Sequence, residues 1–382
     1  MLQYTHIHQP RYESMAKISD NDPIYELLDQ WHDEDEYEKI LQKIEEIPME
    51  DRSNKLWFRK ISALNNLKRY AEAREEVAQL SPHCTEPADL GKLFYMLGYI
   101  YDQSDCEFKA IECYRRRAEI DPSWDECDEL VKDSMSYVEQ DLESAYKAFS
   151  KFFPDYAAKE QSATDKKTIS EPAILPYISA LGSSFMSSNL GVKLPLDDPF
   201  FKCSEEDKPK VISFLTDRVH ITDLRSLQQD FGKNRLAPFT SGVLHIIETG
   251  EEPPLDELNS KTRTHYEASK MSLSKMKEFI PEAGLAAWDY NDMLALARFM
   301  YSVDMLTNTE MMQTYLFAND ECKRLFKSWA EFTHSLTMGA FYSTFTRDTS
   351  YNIKAAARFA INVGVFCMET YPWINWLGPV EE

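Results

Sequence analysis

Phe94-Tyr-Met-Leu97-Gly98-Tyr-Ile-Tyr101, followed by Ala110-Ile-Glu-Cys-Tyr114 and then Pro122, is the stretch that decides the fold. Phe94, Leu97 and Tyr101 recur at helical spacing, and Ala110 and Tyr114 do so in a second segment, which predicts two amphipathic helices in sequence. Small Ala110 lets the two approach closely, the aromatics fill the space between successive pairs, and Pro122 cannot continue the second helix. The second helix has echoes at Ile40/Ile44, Ala73/Val77, Ala110/Tyr114 and Ala145/Phe149, separated by 33, 37 and 35 residues. A helix-turn-helix unit used about four times is expected, each copy burying its apolar face against the next.

Working outward, Tyr25–Trp31 and Tyr37–Ile44 read as one helical pair ending at Pro48, and Leu56–Leu67 and Tyr70–Leu80 as the next, ending at Pro82. Leu90–Tyr101 with Glu107–Ile120 is the best pair, and Cys127–Tyr137 with Leu142–Phe153 would complete a fourth, stopped by Pro154. These positions resemble tetratricopeptide (TPR) repeats. The match is good for Phe94 to Pro122 and degenerate elsewhere: Lys60-Ile61 stand where Leu97-Gly98 have their counterpart. The resemblance implies a curved helical stack with a concave groove for a peptide or partner helix.

The chain has a net charge of -22, unevenly spread. Asp20 to Asp51 holds thirteen acids against Lys39 and Lys43, and Asp121 to Glu143 holds nine against Lys132, so these two blocks carry -19 of the total. Nucleic acid is a poor partner for such a surface, because binding phosphates needs basic groups. A basic protein or peptide is the better expectation, since complementary fields speed and select association. Candidate partner-binding residues are Asp33, Glu34, Asp35, Glu36, Asp125, Asp128 and Glu129.

With 382 residues, two domains with their own cores are expected. The start, Met1-Leu-Gln-Tyr-Thr-His6, lacks a basic segment followed by an apolar one, so no secretory signal is expected. The apolar stretch Phe359–Met368 is far short of the ~20 residues a bilayer span needs. Seven cysteines at irregular spacings, with no Cys-x-x-Cys, fit a reducing cytosol and give no metal or cofactor signature. Residues 1–19 read as an N-terminal arm, 20–156 as the acidic repeat domain, 157–172 as a polar linker, and 173–382 as a second domain.

That second half repeats helical patterns over Ala173–Ser188, Asp207–Thr216, Asp223–Phe231, Thr262–Phe279, Tyr290–Tyr301, Asn308–Phe326, Ser328–Phe345 and Tyr351–Glu369. Leu194–Pro199 and Glu251–Pro254 read as loops, and the β-branched run Val243–Ile247 leaves room for a minor β element. The fold class is therefore all-α: helical-hairpin repeats followed by a helical globular domain. Asp289 is placed to cap the helix that follows it, Thr307 to Glu310 spells a capping box, and Ser328 with Glu331 repeats that spacing. Gly339, inside an apolar helix, predicts close approach of a neighbour.

Trp288-Asp289, Arg298, Ser328-Trp329-x-x-Phe332 and Gly339 together resemble the bacterial DUF1266 family of unknown function, over about Ser213 to Trp376, with His220–Arg225 like its opening helix start. Two positions depart from that pattern: Asp292 stands where an arginine is expected, and Leu336 where a tyrosine is expected. The resemblance implies a fold and no activity. Asp289, Arg298, Glu310, Glu331 and His334 hold the residue types acid/base chemistry needs. Buried Asp–Arg pairs are commonly internal ties, however, and Gly-x-Ser-x-Gly, phosphate-binding glycine loops and His-Glu-x-x-His are all missing. Asp289, Arg298 and His334 are thus weak catalytic candidates. The leading expectation is a non-enzymatic, cytosolic interaction protein, for instance an immunity protein neutralising a basic, nuclease-type toxin. The alternative is an enzyme or toxin whose C-terminal domain acts on what the repeats recruit. The aromatic cluster Tyr371–Leu377 reads as a tail sealing the core.

Overall fold

The computed structural model describes residues 18–19, 22–163, 200–344 and 352–370, and every regular element among them is helical. The chain is all-α, as its periodicity predicts. It divides into two compact units, Met1–Met135 and Ser136–Glu382.

In the first unit, α1 (Ile24–Asp33) pairs with α2 (Tyr37–Glu45), α3 (Asn54–Asn66) with α4 (Tyr70–Leu80), and α5 (Pro87–Asp102) with α6 (Glu107–Ile120). One turn joins every pair. Asp35, Lys68 and Asp105 take left-handed backbone at φ 57°, 58° and 54°, each two residues before the second helix opens. The next residue's N–H then reaches back across the turn: Glu36 to Trp31 O at 2.8 Å, Arg69 to Leu64 O at 2.8 Å, and Cys106 to Tyr101 O at 2.9 Å. This is a Schellman-type closure made without glycine. The three turns lie 33 and 37 residues apart, the same intervals as the echoes of the second helix. Leu28, Ile40, Ile44, Trp57, Ile61 and Leu80 belong to the core between pairs. At Gly98 a Cβ would stand 2.5 Å from the buried Tyr114 ring, so α5 and α6 pack closely there.

The fourth pair is not formed. Cys127–Ala163 is a single helix, α7, that runs through Pro154. Proline in a helix interior removes one backbone bond and favours a break, but aromatic packing in the turns just before it holds the segment. Phe149 lies 5.3 Å from Phe341 and Phe153 5.2 Å from Phe279, ring centre to ring centre. Asp141 pairs with Lys354 at 2.6 Å, and Glu143 pairs with Lys275. Residues 136–156, assigned from sequence to the repeats, therefore pack with the second unit, and the echo at Ala145/Phe149 is a core face of that unit. Of the expected linker 157–172, residues 157–163 are helical. The rest of that linker, residues 1–17, the helix expected at Ala173–Ser188, the loop at Leu194–Pro199 and the tail Tyr371–Leu377 lie outside the described residues.

The second unit continues with α8 (Lys208–Ser213), which runs into a π-helical turn at Phe214–Arg218, then α9 (Leu224–Lys233), α10 (Leu236–Thr249) and α11 (Ser260–Met276). It closes with α12 (Ala286–Ser302), α13 (Asn308–Leu325), α14 (Trp329–Tyr342) and α15 (Ile353–Thr370). Val243–Ile247, the one stretch with a β signal, lies inside α10. Leu236, Ala237, Thr240 and Val243 are buried at helical spacing, and that stripe outweighs the local preference of three β-branched side chains. Gly250, at φ 73°, ends the helix. α12 is buried along almost its whole length and forms the centre of the unit. Gly339 of α14 is where α14 meets α12, since a Cβ there would overlap the Trp288 Cβ.

Candidate functional site

The site is built around the opening turn of α10. The first N–H groups of any helix lack partners inside it, and Arg235 at this helix's N-cap position supplies no side-chain acceptor. Asp289, expected to cap its own helix, instead sits inside α12 and serves its neighbour. Its Oδ1 accepts from Leu236 N at 2.6 Å and its Oδ2 from Ala237 N at 3.0 Å. Arg235 Nε stands 3.8 Å from Oδ2, an ion pair rather than a hydrogen bond. The carboxylate is buried, and three favourable partners offset the cost of burying it: two N–H groups at the positive end of a helix and the Arg235 guanidinium.

Beside this tie a cavity of about 720 Å³ opens among α9, α10, α11 and α12. Phe214, Phe231, Phe239, Trp288 and Tyr342 contribute aromatic wall, while Asp230, Lys233, Arg235, His265, Asp289 and Asp292 contribute charge or polarity. The Arg235 guanidinium lies 5.1 Å from the centre of the Phe231 ring and 5.9 Å from that of Tyr290, a cation held against aromatic faces. Burial pushes the Tyr290 phenol up to about 12, against the pull of Arg235. Trp288 is fixed from two sides, by Gly339 and by the hydrogen bond its neighbour Ala287 N donates to Ser335 Oγ at 3.0 Å. Two of the lining residues, Trp288 and Arg235, each have a nitrogen, Nε1 and Nε, buried without a hydrogen-bond acceptor.

Of the three catalytic candidates only Asp289 lines this cavity. Arg298 is wholly buried in the body of α12. His334 lies against Phe153, ring centres 4.1 Å apart, and burial lowers its imidazole to about 4 against the opposing pull of Glu331. The three do not line this cavity together, and the one that reaches it has its carboxylate committed to backbone N–H groups. Glu310 works as a cap, accepting from Thr307 N at 2.8 Å in a complete capping box. Ser328 Oγ accepts from Glu331 N at 3.2 Å, while the Glu331 carboxylate takes Lys327 N, so that capping box is half made. Phe332 is buried against Phe326, and nothing is described of the Trp329 side chain. His220–Arg225 holds the start of α9, with Asp223 and Ser226 forming its capping box.

The partner-binding candidates Asp33, Glu34, Asp35, Glu36, Asp125, Asp128 and Glu129 are all exposed. The second acidic block is smaller as a surface than its composition suggests, because Asp141 and Glu143 are paired inside the second unit. Among the described residues no group of three or more His, Cys, Asp or Glu side chains could hold a metal ion. No described helix is long and apolar enough to cross a membrane. The cavity itself was not legible in the sequence: it lies between helices, and its key tie joins residues 53 positions apart.

A family model described as a protein of unknown function (DUF1266) matches residues 123–375. No curated protein and no solved structure matches the chain. The match begins well before Ser213, at the turn into α7, so that helix is part of the family's fold rather than a further repeat. Spanning about two thirds of the 382 residues, the match places this chain in the DUF1266 family.

Proposed function

We propose that this chain is a non-enzymatic, cytosolic bacterial interaction protein whose TPR-like hairpin unit holds a basic protein or peptide. A nuclease-type toxin, neutralised by an immunity protein, is the kind of partner that suits it. The observation that carries the reading is the run Asp33-Glu34-Asp35-Glu36, four consecutive exposed acids from the last residue of α1 through the turn to α2. Asp125, Asp128 and Glu129 add exposed charge where α7 opens. The turn that recurs at Asp35, Lys68 and Asp105 supports a repeat scaffold of three hairpins.

An enzyme reading would need Asp289, Arg298 and His334 to converge on one cavity. The separation of these groups weighs against it. The test is capture of partners from the native host at low salt and at about 0.5 M salt, where charges are screened within a few ångströms. A fourfold variant, Asp33→Asn, Glu34→Gln, Asp35→Asn and Glu36→Gln, runs alongside. A basic protein held at low salt, released at high salt and lost in the variant is the expected result. Retention by the variant overturns the reading.

A further inference from the structure

We propose that the cavity beside α10 is a binding site for a small organic carboxylate with an aromatic or apolar body. At about 720 Å³ the cavity lies within the size range of small-molecule sites, roughly 300–1,000 Å³. Its walls are aromatic, which suits a flat apolar body.

Charge alone does not choose the ligand, since three acids face two cations. The state of each group does. Asp289 is spent on Leu236 N and Ala237 N, and Asp230 accepts from Asn234 Nδ2. Asp292 has an interaction within the fold as well. The acids are engaged within the fold, whereas Arg235 Nε has its ion pair to Asp289 but no hydrogen bond. Trp288, only 6% exposed, carries an indole N–H without an acceptor, and Arg235 Nε has none either. Lys233 stands exposed at the rim with no ion pair among the described residues. A carboxylate supplies acceptors of the sign Arg235 and Lys233 prefer. The arginine is already positioned by Phe231, Tyr290 and Asp289, so little ordering remains to be done on binding.

The test is calorimetric titration of the full chain with naphthylacetate and with naphthylethylamine, two probes sharing a body and opposite in charge. Naphthylacetate is expected to bind at least about tenfold more tightly than the amine, and Arg235→Gln to lower its affinity by about tenfold or more. Because Arg235 also touches Asp289, Lys233→Gln at the exposed rim serves as the second variant, with a loss of about threefold expected. Both variants are checked for unchanged thermal unfolding. Equal or tighter binding of the amine overturns the proposal. So does full affinity in both variants, or no binding of either probe at millimolar concentration.

Discussion

Asp289→Ala would strip both acceptors from the opening turn of α10 and leave the N–H groups of buried Leu236 and Ala237 without partners. Each unsatisfied buried group costs about 1–3 kcal/mol, so a loss of about 2–6 kcal/mol is expected, with Asn losing about half as much because one acceptor oxygen survives. Urea unfolding measures both, and an alanine variant as stable as the parent would show that the tie is not structural. His334 supplies a second residue-scale test. Its folded imidazole, near 4, lies below the ordinary 6.5, so the unfolded chain takes up a proton first. Stability from this group is present above about 6.5 and is lost as the pH falls toward 4. Melting temperatures at about pH 7 and about pH 4.5 should therefore differ less in His334→Leu than in the parent, after acid effects shared by both cancel. Neither role was legible from residue type: a carboxylate at the start of a helix reads as that helix's cap, and a lone histidine looks the same exposed or buried.

The hairpins were legible, but their joints were not. Helix periodicity marks Tyr25–Trp31, Tyr70–Leu80 and Glu107–Ile120 because each buries one stripe. The joints use Asp35, Lys68 and Asp105 in a conformation that usually selects glycine, so no punctuation announces them. This gives a prediction for the element. Lys68 is exposed, and its left-handed backbone costs a side-chain-bearing residue roughly 1–2 kcal/mol that glycine does not incur. Lys68→Gly loses part of that gain to the greater freedom of the unfolded chain, so a net stabilisation of about 0.5–1 kcal/mol is expected. It should appear as a higher denaturant midpoint with an unchanged slope. A lower midpoint would mean that the Lys68 side chain contributes more than its backbone costs. In α7 and α10 the local signal and the structure part for one cause. Pro154 and Val243–Ile247 are local signals, and packing by Phe149 and Phe153 in one helix and by Leu236, Thr240 and Val243 in the other overrides them.

At the scale of the molecule, composition places the domain boundary in the polar stretch 157–172, whereas the contacts divide at Met135/Ser136, inside α7. The family match begins upstream of that helix, at residue 123. These observations predict different behaviour for two fragments. Residues 173–382 begin after the polar stretch and lack Phe149, Phe152 and Phe153, all buried, together with the ion pairs of Asp141 and Glu143. Burying each phenylalanine contributes about 1.5–3 kcal/mol, so their combined loss is comparable to the whole stability of a typical domain. Residues 123–382 keep all of α7 and its partners. The longer fragment should melt cooperatively with near-parental aromatic circular dichroism, and the shorter one should unfold without a sharp transition and bind a hydrophobic dye. Equal cooperativity in the two would show that the C-terminal half of α7 adheres to a unit already complete without it. Failure of the longer fragment alone, with the full chain folded, would show that the hairpin unit is needed to hold the start of α7.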